Sequence, residues 1–119
     1  MTRIAVAINK DDENTYEHFG HAERFKLFDI SEGRIEAVDY LTVDEDHGGA
    51  KLQAMIQNFV NMIISDGMGP GVYDKCSLLG IEICAGFKGS ADEAVSRFLD
   101  GTLESDPEAV RPCGGHGCH

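Results

Sequence analysis

The run "RIAVAI" at residues 3–8 constrains the fold more than any other stretch, because it is nearly unbroken apolar sequence with β-branched residues and no polar alternation. That is the pattern of a strand covered on both faces. A strand buried on both sides requires a layer above and below its sheet, so the chain must supply helices to both. At 119 residues it has the length of one domain, large enough to bury about two thirds of its unfolded surface without a covalent staple.

The segments after this strand fall into a readable order. "NKDDENTYEHFGHAE" is a long polar loop with no amphipathic period, and long loops in compact domains tend to be functional. "RFKLFDI" and "RIEAVDYLTV" predict two strands joined at "SEG", with Glu32 and Gly33 as the tight turn of an antiparallel hairpin. "AKLQAMIQNF" predicts a helix whose buried stripe is Leu52, Met55, Ile56 and Phe59. "VNMIIS" predicts a strand, and "VYDKCSLLG" a helix with Val72, Tyr73, Cys76 and Leu79 on one face. After the strand "IEIC", "SADEAVSRFLDG" predicts a helix opened by the Ser90/Glu93 capping box, buried through Ala94, Val95, Phe98 and Leu99, and stopped at Gly101.

Three strands followed by alternating helices and strands point to a mixed α/β sheet. With the first strand central, the hairpin extends to one side and the fourth and fifth strands to the other, giving the order 3-2-1-4-5 with three helices. A ligand crevice in such a sheet forms where the chain switches sides, beyond the carboxyl ends of the strands involved. Here that place lies between the first and fourth strands, where "NKDDENTYEHFGHAE" and "DGMGPG" leave the sheet.

The net charge of −11, from 21 acidic against 10 basic side chains, repels phosphate backbones and anionic membrane surfaces and argues against a nucleic-acid or membrane partner. The opening Met1, Thr2 and Arg3 lead straight into the strand with no signal-peptide or spanning run, so a cytoplasmic location is expected. No catalytic set emerges: Ser65, Ser77 and Ser90 lack a His/Asp partnership, and the first strand has no carboxylate for a two-metal centre. A binding protein, not an enzyme, is expected.

The candidate binding residues lie in the two odd loops and at the C-terminus. His18 and His21, three apart around Phe19 and Gly20, reach one metal or cluster if the Phe-Gly pair turns sharply; otherwise they are ordinary loop residues. Gly67, Met68 and Gly69 form a glycine loop that lets backbone approach a ligand, with Met68 as a soft sulfur beside it, or else a purely structural turn. Arg24 and Lys26 add local positive charge suited to an anion. Cys76 is expected to be a core residue; Cys84 is either core or crevice. The final "CGGHGCH" presents Cys113, His116, Cys118 and His119, a donor set for zinc, copper or an iron–sulfur edge, although its spacing fits no standard zinc finger. The alternative is a tail whose thiols pair with each other.

The first strand, "HFGHAERF", "IISDGMG", "LLGIEI" and "ADEAVSRFLDGTL", in this order, resemble the dinitrogenase iron–molybdenum cofactor biosynthesis family of small cofactor-carrier domains, and are similar to its orange-protein-type members. The likeness covers about residues 3–103. It implies a ribonuclease-H-like fold and the binding or delivery of a metal–sulfur cluster: iron–molybdenum, molybdenum–copper sulfide or iron–sulfur. It also implies that His18 or His21 and the Gly67–Met68–Gly69 loop face that cluster.

The expected organisation is a cluster-binding α/β domain at 1–103 and a flexible Cys/His tail at 104–119. Expected partners are the cluster and the proteins that assemble or accept it, with the chain a monomer or weak dimer. Two other readings stay open: metal or redox sensing through the tail, and a cargo-free interaction module.

Overall fold

The computed structural model describes residues 2–44 and 48–110. Strand β1 is Thr2–Ile8, and a 3-10 turn at Phe19–His21 precedes β2, Arg24–Ser31, and β3, Arg34–Thr42. Helix α1, Gly48–Gln57, leads to β4, Met62–Ser65; α2, Pro70–Leu79, leads to β5, Glu82–Ala85; and α3, Ala91–Asp100, is followed by a 3-10 turn at Pro107–Ala109. The five strands form one sheet in the order β3-β2-β1-β4-β5. β1 runs antiparallel to β2 and parallel to β4, so the sheet is mixed, in the order expected from the sequence.

The double burial of β1 follows from its sequence. Ala5 and Ala7 pack with Phe25, Leu27 and Ile63 under Leu52 and Met55 of α1 and Cys76 of α2. Ile4, Val6 and Ile8 pack with Phe28 and Ile64 under Ala91, Ala94 and Val95 of α3. Period-two alternation thus sends small residues to one face and larger ones to the other. The hairpin turn has both Glu32 (φ 52°) and Gly33 (φ 74°) in the left-handed region, which matches the twist of the flanking strands. Helix α3 begins as expected: the Glu93 N–H donates to Ser90 Oγ at 3.0 Å.

The expected helix faces need correction at their ends. α1 stops at Gln57, so Phe59, at φ 58° and 80% exposed, lies outside the stripe, and Ile56 is also exposed. Val60 takes the buried position instead. Leu79, at the last turn of α2, is likewise exposed. Unforeseen is the fully buried Lys51, whose Nζ donates to the Val43 carbonyl at 2.7 Å.

The chain also remains packed beyond Leu103. The Cys84 thiol donates to Glu104 O at 3.3 Å, the Ala85 N–H to Ser105 Oγ at 3.1 Å, and the Asp106 N–H to Ala85 O at 2.7 Å. A Cβ on Gly86 would lie 2.6 Å from Asp106 Cβ. The packed chain thus continues to Val110, whereas 103 was the expected boundary; the remainder of the expected tail, with its four candidate ligands, lies outside the described residues.

Two charge clusters brace the sheet. On the α3 face Lys26, nearly buried, pairs with Glu13 at 2.7 Å and Asp92 at 3.0 Å, and Tyr40 donates to Glu13 at 2.8 Å. Burial opposes the Lys26 charge, but the hydrogen bonds to Glu13, Asp92 and Tyr40 raise its pKa above the ordinary lysine value. Hydrogen bonds from Lys26 and then Tyr40 hold the Glu13 carboxyl below its usual range, and Arg3, 2.6 Å away, does the same for Asp29. Depressed carboxylate values stabilise the fold above the unfolded carboxylate pKa, and that contribution is lost as pH falls through the lower folded values. Lys26 acts oppositely: its contribution is complete below the unfolded lysine pKa and is lost as pH rises through the higher folded value. Melting followed by circular dichroism should therefore show a flat neutral range, with the melting temperature falling below about pH 4 and again above about pH 10.5.

Candidate functional site

Because β1 and β4 are parallel neighbours, their carboxyl ends open on the same edge of the sheet, where the order reverses. The two loops leaving that edge are bonded to one another. The Phe19 N–H donates to Gly67 O at 2.9 Å, the Asp66 N–H reaches Tyr16 O at 3.4 Å, and the Ser65 hydroxyl donates to Gly67 O at 2.7 Å. A Cβ on Gly67 would lie only 2.5 Å from Glu17 O. Gly67 thus lets the protein's own backbone approach, a structural reason for the glycine beside the ligand-based one expected from sequence.

The Phe-Gly pair does turn sharply, into the 3-10 turn Phe19–His21 packed against α1. The turn brings the His18 and His21 rings to 5.2 Å between centroids, tilted by 43°. Two imidazoles on one tetrahedral ion, with metal–nitrogen bonds of about 2.0–2.1 Å, have centroids about 5 Å apart, so this spacing suits a shared metal or cluster edge. His18 is buried and His21 half-buried. Phe19 is enclosed in the core, its ring 5.6 Å from that of Phe25, and Gly20 is buried with it.

His21 lines a cleft of about 380 Å³ together with Ile8, Asn9, Lys10, Asp11, Asp12, Tyr16 and Glu23. Residues 9–12 belong to the long polar loop whose length pointed to a functional role. Lys10 pairs with Glu23 at 2.6 Å, leaving Asp11 and Asp12 as the excess charge of the cleft. The expected basic spot is not there. Arg24 and Lys26 share the parity of Phe28 and so point to the α3 face, where Arg24 stacks on the Tyr40 ring at 4.5 Å and Lys26 is held by its two carboxylates.

Met68 is also placed differently from the expectation of an exposed sulfur. It is fully buried in the same cluster as Phe19, Ala7 and Met55. Gly69 is buried backbone at the N-cap of α2, in an ordinary extended conformation at φ −71°. A Cβ on Gly69 or Gly71 would meet no atom within 4 Å. These glycines border open space at the start of a ten-residue helix, where first-turn amides lack intrahelical acceptors and favour negative charge. Cys76 and Cys84 are both buried, and burial pushes each thiol pKa up to about 11, which suits packing and not ligation at neutral pH. Cys84 lies under α3, within the core cluster there.

Comparison with known proteins bears on the family and the fold. The family described as dinitrogenase iron-molybdenum cofactor matches residues 1–101. An uncharacterized protein of Methanocaldococcus jannaschii is 33% identical over 106 residues, covering 85% of this chain and 90% of the relative. The crystal structure of PH0822 superposes with a TM-score of 0.81 at 24% identity, over 90% of this chain and 96% of that one. The apo form of the orange protein from Desulfovibrio gigas gives 0.75 at 22% identity, over 90% and 94%. At these identities the solved structures speak for the fold, and the family match with the archaeal relative speaks for descent: the chain belongs to the dinitrogenase iron–molybdenum cofactor family.

Proposed function

We propose that this protein binds and carries, or helps assemble, an anionic metal–sulfur cluster of the iron–molybdenum or molybdenum–copper sulfide type. The cargo sits between the His18/His21 turn and the N-terminus of α2, and the protein performs no catalysis on it. The observation that carries this reading is the open start of α2 at Gly69 and Gly71, set beside a histidine turn that is hydrogen-bonded to the same loop through Gly67. Amides of the first helical turn hold sulfide or oxide edges electrostatically, while imidazoles ligate a metal or donate to sulfide. Neither Arg24 nor Lys26 is needed. Membership of the family supports the reading. The chain works as a monomer or weak dimer in the cytoplasm and passes its cluster to an acceptor protein.

A second reading is favoured by the carboxylates of the cleft: Asp11 and Asp12 would concentrate a bare cation beside His21. Anaerobic isolation from the native host, with metal and acid-labile sulfide analysis, separates the two. Molybdenum accompanied by sulfide is expected; a divalent metal without sulfide would establish the second reading, and no metal at all would contradict both.

A further inference from the structure

Strand β3 is the longest of the sheet and stands at its edge, next to β2. The opposite edge is closed by the chain itself: at Ala85 of β5 the N–H donates to Ser105 Oγ and the carbonyl accepts from the Asp106 N–H. Among the described residues β3 has no such cover. Its outward backbone groups occupy a defined set of positions. The Val43 N–H donates inward to Glu23 O at 2.8 Å, whereas the Tyr40 N–H points away from β2, onto the Asp39 carboxylate at 2.8 Å. Hydrogen-bond direction and side-chain face alternate together along a strand. The residues facing α3 are therefore the ones with outward amides and carbonyls: Val38 and Tyr40, paired with Phe28 and Lys26, and Ile35, paired with Ile30.

Ile35 and Val38 share that face because the register shift opposite Asp29 and Ile30 makes Glu36 an extra residue. Both are exposed, since the cluster under α3 ends at Phe28 and Ile30 of β2. On the other face Asp39 pairs with Leu27 and Arg34 with Ser31. These positions are self-complementary. A second copy laid antiparallel on this edge, with the twofold axis crossing the sheet at Glu36 and Ala37, sets Ile35 against Val38 of the second copy, and Val38 against its Ile35. Those are the hydrogen-bonded pairs, with apolar side chains together on the α3 face. The adjoining non-hydrogen-bonded pairs, whose Cα atoms come to about 4.5 Å with side chains closest, set Arg34 against Asp39 twice. Opposite charges directly across a ladder are stabilising.

We infer that β3 is a self-association surface: two copies of the chain join edge to edge through residues 34–39 in one continuous sheet. Each copy has one uncovered edge and spends it on the other, so the assembly closes at two. Thr42 pairs with Arg24 at the end of the sheet beside the histidine turn, and Arg34 stands at the far end. The axis therefore leaves the two histidine turns at opposite ends of the dimer, both open, and the inference is independent of what they hold.

Sedimentation equilibrium of the full chain from micromolar to millimolar concentration, with reductant present so that no cysteine bridge contributes, tests this. The variants are Arg34→Asp, Asp39→Arg and the two together, each checked for folding by circular dichroism. The wild type should show a reversible monomer–dimer equilibrium. Either single reversal sets like charges opposite one another twice and should weaken the dimer about tenfold or more. The double reversal restores both pairs and should recover wild-type association. Bulk charge predicts otherwise: Asp39→Arg makes a net charge of −11 less negative and would strengthen association if repulsion between whole chains governed it. In the wild type, exchange of the Ile35 and Val38 amides should slow as concentration rises, a readout that needs no variant. A monomer at every concentration, a dimer that either single reversal leaves intact or strengthens, or Ile35 and Val38 amides indifferent to concentration would overturn the proposal.

Discussion

Phe19→Ala should cost the fold about 3–5 kcal/mol, the range for removing a fully buried phenylalanine. Against a total stability of about 5–15 kcal/mol for a domain of this kind, that loss leaves a marginal protein. Phe19 has no exposed surface, packs its ring against Phe25, and shares a cluster with Ala7, Met55 and Met68. It is also the anchor of the turn that carries both histidines, and its N–H makes the bond to Gly67. The consequence should therefore be double. Urea unfolding should show the lower midpoint, and hydrogen exchange should show the Phe19 amide losing protection beyond the global loss. Phe25→Ala, in the same cluster but on β2, should cost as much stability without that added local loss.

Gly67→Ala is expected to be the most damaging glycine substitution in the site. The new methyl group would lie 2.5 Å from Glu17 O, a backbone atom with no side-chain freedom to escape. Separating the two loops costs about 1–3 kcal/mol in crowding, and losing the Phe19–Gly67 bond adds about 0.5–1.5 kcal/mol. Gly71→Ala makes the informative contrast. Its methyl group meets open space within helix α2, so stability should hold or rise by about 0.5–1 kcal/mol. Cargo binding should nevertheless weaken, because the methyl group occupies the space assigned to the cluster. Paired melting and uptake measurements would show stability and binding moving in opposite directions; unchanged uptake in Gly71→Ala would remove that space from the cargo site.

The architecture was legible where one physical signal dominated. The apolar run of β1 specified two covered faces, Glu32 and Gly33 specified the hairpin, and Ser90, Glu93 and Gly101 bracketed α3. Errors arose where local pattern met tertiary geometry. Phe59 continues the helical spacing of α1, but the chain turns at Phe59 itself, and periodicity carries no record of where a helix stops. Residues 104–110 contain no apolar period; they are held by hydrogen bonds to β5 and the Met68 loop that only the assembled sheet provides.

The site was legible in its location and less so in its chemistry. Strand order alone placed the "HFGH" and "GMGPG" loops together. The direction of Arg24 and Lys26 depended on which face of β2 each parity served, and that is fixed by Phe28 and Ile30 packing under α3. Met68 looked exposed between glycines because neighbours in sequence suggested an open loop, yet its side chain turns inward beneath Phe19. The reason for Gly67 lay in Glu17, a partner fifty positions away that no local motif reveals.

The most direct test of the account is amide chemical-shift mapping of isotopically labelled protein during addition of tetrathiomolybdate and copper(I). The account expects the amide resonances of residues 18–22 and of Gly69, Gly71 and Val72 to move together and saturate together, while those of β3 and α3 stay in place. Shifts confined to β3, α3 or the residues after Val110, with the histidine turn and the start of α2 unmoved, would contradict it.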